Sequence, residues 1–344
     1  MGSSAAIAHP PSADLIAAEV CPDCVICGAP GVALYHDLTD RFYGASGSWN
    51  VSRCIAARCG MLWLNPRPLE SDIWKAYRKY YTHEAAGGAK SRPPARGIIR
   101  KMPQAIKRAY IASRLGYADR KVSLREQMLA GFAYLDPTRR ADTDFPSKYL
   151  PFGNRGRLLD LGCGSGDTLG AVRSLGWEAE GVDIDPAAVA AARRNGFNVR
   201  CGSLPEQRFP DAGFDAVVMS HVIEHVHHPL ELLAEVRRIL KRGCRLVIAT
   251  PNARSLGHRM LRARWPFLDP PRHLQVFTPR ALEALVLAAG FTDVRACTEI
   301  RTAAAMLPRI GGSRIAGRLA EYGENFALHF DHDAGEEIAL VASR

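Results

Sequence analysis

The sequence predicts a doubly wound α/β fold, a parallel sheet with helices on both faces, preceded by a small cysteine-bearing module. Three observations carry that expectation. A short apolar run, Leu158–Leu161, leads into glycines at 162, 164 and 166 and then into an apolar helical pattern from Asp167. That is the strand–turn–helix opening of a nucleotide-binding unit. Strand-like and helical runs then alternate as far as Thr250, at the spacing of βα units. Five of the nine cysteines crowd between Cys21 and Cys59.

At 344 residues the chain is long enough for two domains with a sizeable core. A hydrophobic content of 47% without a long apolar run points to a soluble globular protein. Residues 1–20 have no basic leader and a weak Ala/Pro/Ser pattern, so they read as a loose tail and not a signal peptide, with a cytoplasmic location expected. The net charge of +10 is uneven: Lys90 to Arg157 holds 16 Lys/Arg against 5 Asp/Glu. Such a surplus suits an anionic partner such as nucleic acid, membrane headgroups or a phosphorylated substrate; a solvated helical face is the plainer alternative. The expected divisions are the tail at 1–20, a module at 21–83, a basic helical linker or lid at 84–150 and the main domain at 151–344.

In the module, Cys24-Val-Ile-Cys27-Gly28 and Cys54-x4-Cys59-Gly60 form two close pairs. Two thiolate pairs make a closed tetrahedral zinc site, and four sulfurs leave no open position, so the role is structural. Cys21 is left over, because only Cys27 has a glycine behind it to permit a tight turn. Val32–Tyr35 and Ser48–Val51 read as short strands in the intervening gap. Met61–Leu64 reads as a strand ended by Pro66 and Pro68, and a short helix from Asp72 runs into Tyr80-Tyr81-Thr82-His83. The quartet, Asn65-Pro66-Arg67-Pro68 and the Tyr80–His83 turn together resemble the N-terminal part of a bacterial methyltransferase group. That group carries a zinc-ribbon-like module, and some of its members are deoxysugar C-methyltransferases. The resemblance implies that Tyr80 and Tyr81 face the active site; packing between modules is the alternative.

Residues 85–96 contain Gly-Gly and Pro-Pro and read as a loop. From Ile98 to Ala130 the pattern is helical, broken at Pro103 and Gly116. Ile98, Ile99, Met102, Ile106, Tyr110 and Leu115 can share a face, with Lys101, Lys107, Arg108 and Arg114 on others. A basic amphipathic helix can lie on a membrane surface or cover a substrate cleft. Peripheral membrane contact through residues 90–157 is therefore one expectation.

In the main domain, expected strands are Arg157–Leu161, Ala179–Asp183, Asn198–Arg200, Ala216–Ser220, Arg245–Thr250, Phe291–Thr298 and Glu337–Ser343. Helices are expected near Thr168–Leu175, Ala187–Asn195, Leu230–Leu240 and Pro279–Ala289, with residues 300–335 as an insertion. The glycine spacing selects the ligand. A dinucleotide fingerprint would place its third glycine at position 167, which is Asp167, and Asp160 stands where a pyrophosphate would be repelled. A cationic ligand suits this turn better. Asp160 followed by Gly162-Cys163-Gly164-Ser165-Gly166 resembles the first motif of the class I S-adenosylmethionine-dependent methyltransferases.

The resemblance implies a Rossmann-like seven-stranded sheet closed by an antiparallel hairpin strand. It also implies S-adenosylmethionine as cofactor, with Asp160 and the Gly162, Cys163, Gly164 and Gly166 backbone at its methionine end. Ser203 and Leu204 then flank the adenine. Asp183, ending the second strand 23 residues after Asp160, can accept both ribose hydroxyls, and Ile184 beside it can pack on adenine. Asp185-Pro186 already supplies the following helix start.

Ser220 ends the fourth strand, where this class holds the cofactor and the reacting centre. In Ser220-His-Val-Ile-Glu-His225, residues His221, Glu224 and His225 stand at i, i+3, i+4, which on a helical turn brings them towards one face. One reading makes His225 a general base near neutral pH, with Glu224 orienting it. A second makes the three a divalent-metal site, since 3-demethylubiquinol methyltransferases show a related E-x-x-E-H stretch; here His221 replaces its first acid. A third has His221 packing over the cofactor and His225 capping a helix. His227 and His228 read as exposed turn residues. Arg272-His273 resembles the Arg-His before the last helix of the same group and can bind a carboxylate or phosphate, or move a proton; alternatively Arg272 braces its own loop. The chain lacks the Asn/Asp-Pro-Pro-Tyr motif of many amine methylases, which argues against methylation of nucleic-acid bases.

The expected function is methyl transfer from S-adenosylmethionine to an oxygen or carbon of a small molecule: a sugar, a quinone-like ring or a secondary metabolite. The alternatives are an RNA methyltransferase gripping RNA with the zinc module and basic region, and a non-catalytic S-adenosylmethionine-binding scaffold.

Overall fold

A computed structural model describes residues 15–78, 103–118, 121–150, 155–302 and 311–344. The N-terminal strands are β1 (Ala18–Glu19), β2 (Gly31–Leu38), β3 (Trp49–Cys54), β4 (Leu62–Leu64) and β5 (Arg67–Pro68), followed by helices α1 (Gln104–Arg114), α2 (Leu124–Gly131) and α3 (Pro137–Asp144). Then come β6 (Arg157–Leu161), α4 (Asp167–Ser174), β7 (Glu178–Asp183), α5 (Pro186–Arg194), β8 (Val199–Cys201) and β9 (Phe214–Ser220). The chain continues through α6 (Pro229–Ile239), β10 (Leu240–Pro251), α7 (Leu256–Leu261), β11 (Gln275–Val276), α8 (Pro279–Ala288), β12 (Thr292–Glu299), α9 (Arg314–Ala327) and β13 (Glu337–Ser343).

Seven of these strands form one sheet in the order β12-β13-β10-β9-β6-β7-β8. Strands β10, β9, β6, β7 and β8 run parallel, and β13 inserts antiparallel between β10 and β12. This is the seven-stranded arrangement with a closing hairpin that the sequence resemblance implies. Leu158, Leu159, Val217, Val218, Val247 and Ile248 are wholly buried, because helices cover both faces of a parallel sheet. After β8 the chain crosses back past β6 to place β9, so a crevice opens over the strand ends at the β6/β9 switch. Strand β10 starts five residues before its expected beginning. Leu240 already pairs with Phe214, and the register breaks before Arg245. The expected insertion at 300–335 contains α9, capped by Ser313, whose Oγ accepts from the Ala316 amide.

The cysteine module builds a four-stranded sheet in the order β11-β4-β3-β2. Its fourth strand comes from the main domain, with Gln275 opposite Trp63 and Val276 opposite Leu62. The cores merge as well. Cys24, Cys54, Cys59, Met61 and Trp63 share one cluster with Phe277, Ala281 and Leu282. Trp49, Val51 and Leu64 share another with Trp265, Phe267 and Leu274. A segment this small buries too little surface to be stable alone. Each apolar side chain it lays against the main domain is worth about 1.5–3 kcal/mol.

Helix α1 begins directly after Pro103, and Gly116, at φ +78°, lies just past its end. Ala109 and Tyr110 of α1 pack on Ala130 and Ala133. The Tyr110 hydroxyl donates to Asp144 Oδ1 at 2.7 Å, tying this layer to α3. The loop expected at 85–96, with Ile98, Ile99, Lys101 and Met102, lies outside the described residues.

Candidate active site and cysteine centre

Strand β6 delivers Asp160 to the switch point, and the turn behind it depends on left-handed backbone at Gly164 (φ +52°) and Gly166 (φ +96°), a region that L side chains avoid. A Cβ added at Gly166 would lie 2.4 Å from the Phe197 ring, and one at Gly162 2.4 Å from Val222, whereas at Gly164 it would meet nothing within 4 Å. Packing thus closes the turn on either side and leaves it open at Gly164. Asp160 is buried and its Oδ2 has no hydrogen-bond partner among the described residues. Burial pushes its carboxyl well above the usual range, and the Asp183 charge adds to this. A buried acceptor left unpaired costs about 1–3 kcal/mol, so the site favours a donor or cation at this point.

Asp183 Oδ2 accepts from the Gly164 amide at 2.8 Å and Oδ1 from the Asp185 amide at 2.9 Å. Each oxygen keeps a second lone pair, and burial raises this carboxyl too. Asp185 caps α5 as expected, accepting from the Ala187 amide. Ile184 is exposed beside it, and Ser203 is half-buried. Leu204 differs from expectation: its side chain is buried in the main core and is not available to an adenine. Cys163 is also buried, with its amide donating to Val182 O. An orphaned acid beside an open glycine fits an ammonium, and a carboxylate with spare lone pairs fits a vicinal diol. The residues present therefore fit S-adenosylmethionine.

At the end of β9, past Ser220, His221 adopts φ +57° and donates its amide to Ala249 O at 2.9 Å. Residues 223–225 make a single 3₁₀ turn and not an α-helical one. His221 precedes that turn with left-handed backbone, so the i, i+3, i+4 spacing of an α-helix does not hold across this stretch. His221 meets Glu224 (Nδ1 to Oε1, 3.2 Å), and its other ring nitrogen meets Glu337 Oε1 at 3.1 Å. Glu224 Oε2 accepts from Thr250 Oγ1 at 2.9 Å, and Glu337 Oε2 from Arg301 Nη1 at 2.9 Å. Burial opposes charge on His221, but Glu337 and Glu224 outweigh it and raise the imidazole to about 9. Glu224, against burial, is drawn down to about 2 chiefly by its bond to His221; Glu337 is drawn down to about 2 by Arg301 and His221. His221 is thus an imidazolium clamped between two carboxylates.

His225 does not join that clamp. Its Nδ1 lies 3.0 Å from Arg272 O and 3.0 Å from the Tyr77 hydroxyl. A carbonyl only accepts, so Nδ1 carries the proton and the lone pair sits on Nε2. Burial, then the nearby charge of His273, depresses His225 to about 4, below the near-neutral value expected. It is a neutral imidazole at physiological pH. The expected convergence of His221, Glu224 and His225 is therefore replaced by another grouping. Glu224, His225 and His273 each bring a potential donor atom within 4.8 Å of the others. The His225 and His273 rings meet edge to face at 4.7 Å, and His273 Nδ1 is 2.7 Å from Phe267 O.

Arg272 does not offer itself to a substrate anion. Its side chain is fully buried, with Nε and Nη2 donating to Asp269 (3.0 and 2.7 Å) and Nη1 and Nη2 to Asp40 (2.7 and 2.9 Å). Nη1 also reaches Ala76 O at 3.3 Å. All five guanidinium donors are taken, so Arg272 braces its own loop and the module. Tyr80 and Tyr81 lie outside the described residues; Tyr77 is the module's aromatic that reaches His225. His227, expected exposed, is buried with Nε2 2.9 Å from Pro68 O.

Cys24, Cys27, Cys54 and Cys59 place their sulfurs within 4.8 Å of one another. Cys24 and Cys59 are 3.6 Å apart, Cys27 and Cys54 3.4 Å. A zinc ion with Zn–S bonds of about 2.3 Å sets tetrahedral sulfurs about 3.8 Å apart, so the quartet fits zinc. Gly28 (φ +69°) and Gly60 (φ +61°) turn the chain after each pair. Cys21 stands outside, its amide bound to Asn65 Oδ1 and its carbonyl to Trp63 Nε1.

Residues 134–296 match the family described as a methyltransferase domain. A probable S-adenosylmethionine-dependent methyltransferase of Mycobacterium tuberculosis is 30% identical over 145 residues, 41% of this chain and 50% of that protein. A ubiquinone biosynthesis O-methyltransferase of Cereibacter sphaeroides is 31% identical over 157 residues, 42% of this chain and 63% of that protein. The chain thus spans about half the length of the first of these relatives and under two thirds of the second. Among solved structures, a SAM-dependent methyltransferase from Archaeoglobus fulgidus aligns with 27% identity and a TM-score of 0.44, over 64% of this chain and 98% of that one.

Proposed function

We propose that the protein, whose residues 134–296 match the family described as a methyltransferase domain, transfers a methyl group from S-adenosylmethionine to an oxygen or acidic carbon of a small molecule. Bound S-adenosylmethionine supplies a methyl already activated on its sulfonium. The protein's part is to bind, align and take a proton. Asp160 and the open Gly164 receive the ammonium end, and Asp183 receives the ribose hydroxyls. His225 Nε2 accepts the proton that leaves the acceptor O–H or C–H as the methyl arrives. Arg272 O holds the ring through Nδ1–H, so the lone pair keeps its direction.

One observation carries this reading. The unpartnered acid Asp160, Asp183 and the neutral imidazole of His225 stand at or just beyond the C-terminal ends of neighbouring parallel strands. The relative named as a ubiquinone biosynthesis O-methyltransferase favours oxygen on a quinol-like ring as the first acceptor to try. Zinc in the cysteine quartet has a structural role, since four sulfurs close its coordination.

Calorimetry should find about one S-adenosylmethionine per chain. Asp183→Ala should weaken it roughly 10-fold or more, the scale of losing hydrogen bonds to a charged group. A panel of catechols, quinols and sugar hydroxyls with methyl-labelled S-adenosylmethionine then reads transfer. Binding without transfer to any acceptor would support the scaffold alternative, and absence of binding would end the proposal.

A further inference from the structure

Helix α9 is turned inside out. Its two acids, Glu321 and Glu324, are buried together with Gly317, while Ile315, Leu319, Tyr322 and Phe326, with Phe330 just beyond, are 44–78% exposed. Those positions fall at i, i+4, i+7, i+11 and i+15, the stripe that ordinarily faces a core. Hydrogen bonds pin the inversion: Glu321 Oε1 accepts from the Thr138 amide at 2.9 Å and Glu324 Oε1 from the Glu336 amide at 2.6 Å. Beside it, Leu124, Met128, Phe132 and Leu135 of α2 and the turn after it form a second exposed stripe. The two adjoin, because the Tyr322 hydroxyl donates to Leu135 O at 2.7 Å and Arg318 pairs with Asp136 at 3.3 Å.

An apolar surface of nine large side chains is beyond what a soluble face usually exposes. Its rim is cationic. Lys121, Arg125 and Arg318 are exposed. Among the described residues of 121–140 and 311–330, the acids not buried are Glu126, which caps Ser123, and Asp136, which lies between Arg139 and Arg318. Two copies placed face to face would set arginine against arginine. An anionic bilayer meets both parts: the Phe, Tyr and Leu side chains enter the headgroup boundary and the arginines reach the phosphates. No described helix is long and apolar enough to cross a membrane, so the contact lies along the surface. We propose that the joined face of α2 and α9 docks this protein on a bilayer of anionic phospholipid.

The test is co-sedimentation of the full chain with vesicles of phosphatidylcholine alone and of phosphatidylcholine mixed with phosphatidylglycerol. Binding to the mixed vesicles should be at least about 10-fold tighter, since each arginine near an anionic surface contributes about 1 kcal/mol, a factor near 5. Leu319→Asp with Phe326→Asp should weaken it about 10-fold or more, with thermal melting and S-adenosylmethionine affinity unchanged. Arg125→Glu should weaken it without touching the apolar stripe. The proposal is overturned if neither vesicle binds, if both bind equally, or if the double variant binds like the parent. It is also overturned if sedimentation equilibrium shows a dimer of the parent that the double variant abolishes.

Discussion

Arg272 and Asp40 form a bidentate pair, two nitrogens on two oxygens at 2.7 and 2.9 Å, with both side chains fully buried and 232 positions between them. Asp269 holds the same guanidinium from the other side. The module and the loop that positions His225 are therefore joined by a charge that neither part can leave unpaired.

Removing the arginine should cost far more than removing all three charges. Arg272→Met should destabilise the protein by roughly 3–5 kcal/mol, because it strands the buried Asp40 and Asp269 carboxylates. Asp40→Leu and Asp269→Asn combined with Arg272→Met should recover much of that loss. Urea unfolding of the parent, single and triple variants checks this; equal loss in single and triple variants would refute it.

Stability should depend on pH through His221. Its imidazole stands at about 9 in the folded protein, above the unfolded value of 6.5. Its contribution is fully present below about pH 6.5 and is lost as pH rises through 9. Glu224 and Glu337 stand at about 2, below the ordinary 4.5. Their contribution is present above pH 4.5 and fades as pH falls through 2. The clamp's own contribution should therefore be greatest between about pH 4.5 and 6.5, and His221→Gln should flatten the alkaline decline of the melting temperature. A decline unchanged by His221→Gln would contradict the clamp.

Catalysis should show a different pH limb. With His225 held at about 4, turnover should stay level through neutrality and fall only as acid protonates Nε2 near that value. His225→Ala should lower turnover about 10²-fold or more while leaving cofactor affinity in place. Tyr77→Phe removes one neighbour of Nδ1 but leaves Arg272 O, so its effect should stay within about 10-fold. A rate limb near pH 6.5, or a silent His225→Ala, would remove His225 from the role.

Metal analysis should find one zinc per chain, and a chelator should lower the melting temperature of the whole protein in a single transition. Cys24, Cys54 and Cys59 share a core with Phe277 and Leu282, so the quartet has no separate unit to melt. Two resolved transitions would contradict the shared core.

The parts of the site carried by local signals were legible in the sequence. The glycine turn, the Asp185-Pro186 cap and the two Cys-Gly knuckles each depend on residues within one turn of one another. The His221–His225 stretch was legible in its residues but not in its geometry. A positive φ at His221 and a 3₁₀ turn split a group that α-helical spacing would have joined. The partners Glu337, Arg301, Asp40 and Tyr77 were invisible for a different reason. Each lies far along the chain from the residue it serves, and nothing in a run such as Glu337-Ile-Ala-Leu-Val marks its acid as the counter-ion of His221. Arg272 shows the limit of reading a residue by type alone, since its donors are taken by carboxylates that the sequence sets 3 and 232 positions away.

Strand β11 completes the module's sheet, and beside it the Thr278 hydroxyl binds Cys59 O across 219 positions. During synthesis the four cysteines leave the ribosome long before that strand exists. Until it arrives, β4 keeps an unpaired edge next to reactive thiols, the kind of edge that invites wrong pairing. Early metal capture would hold the knuckles closed through this interval, and the arrival of residues 275–278 would then latch the nascent module. A chain truncated before Gln275 should therefore leave the quartet on an unfinished sheet, and its yield should depend on supplied zinc more steeply than that of the full chain.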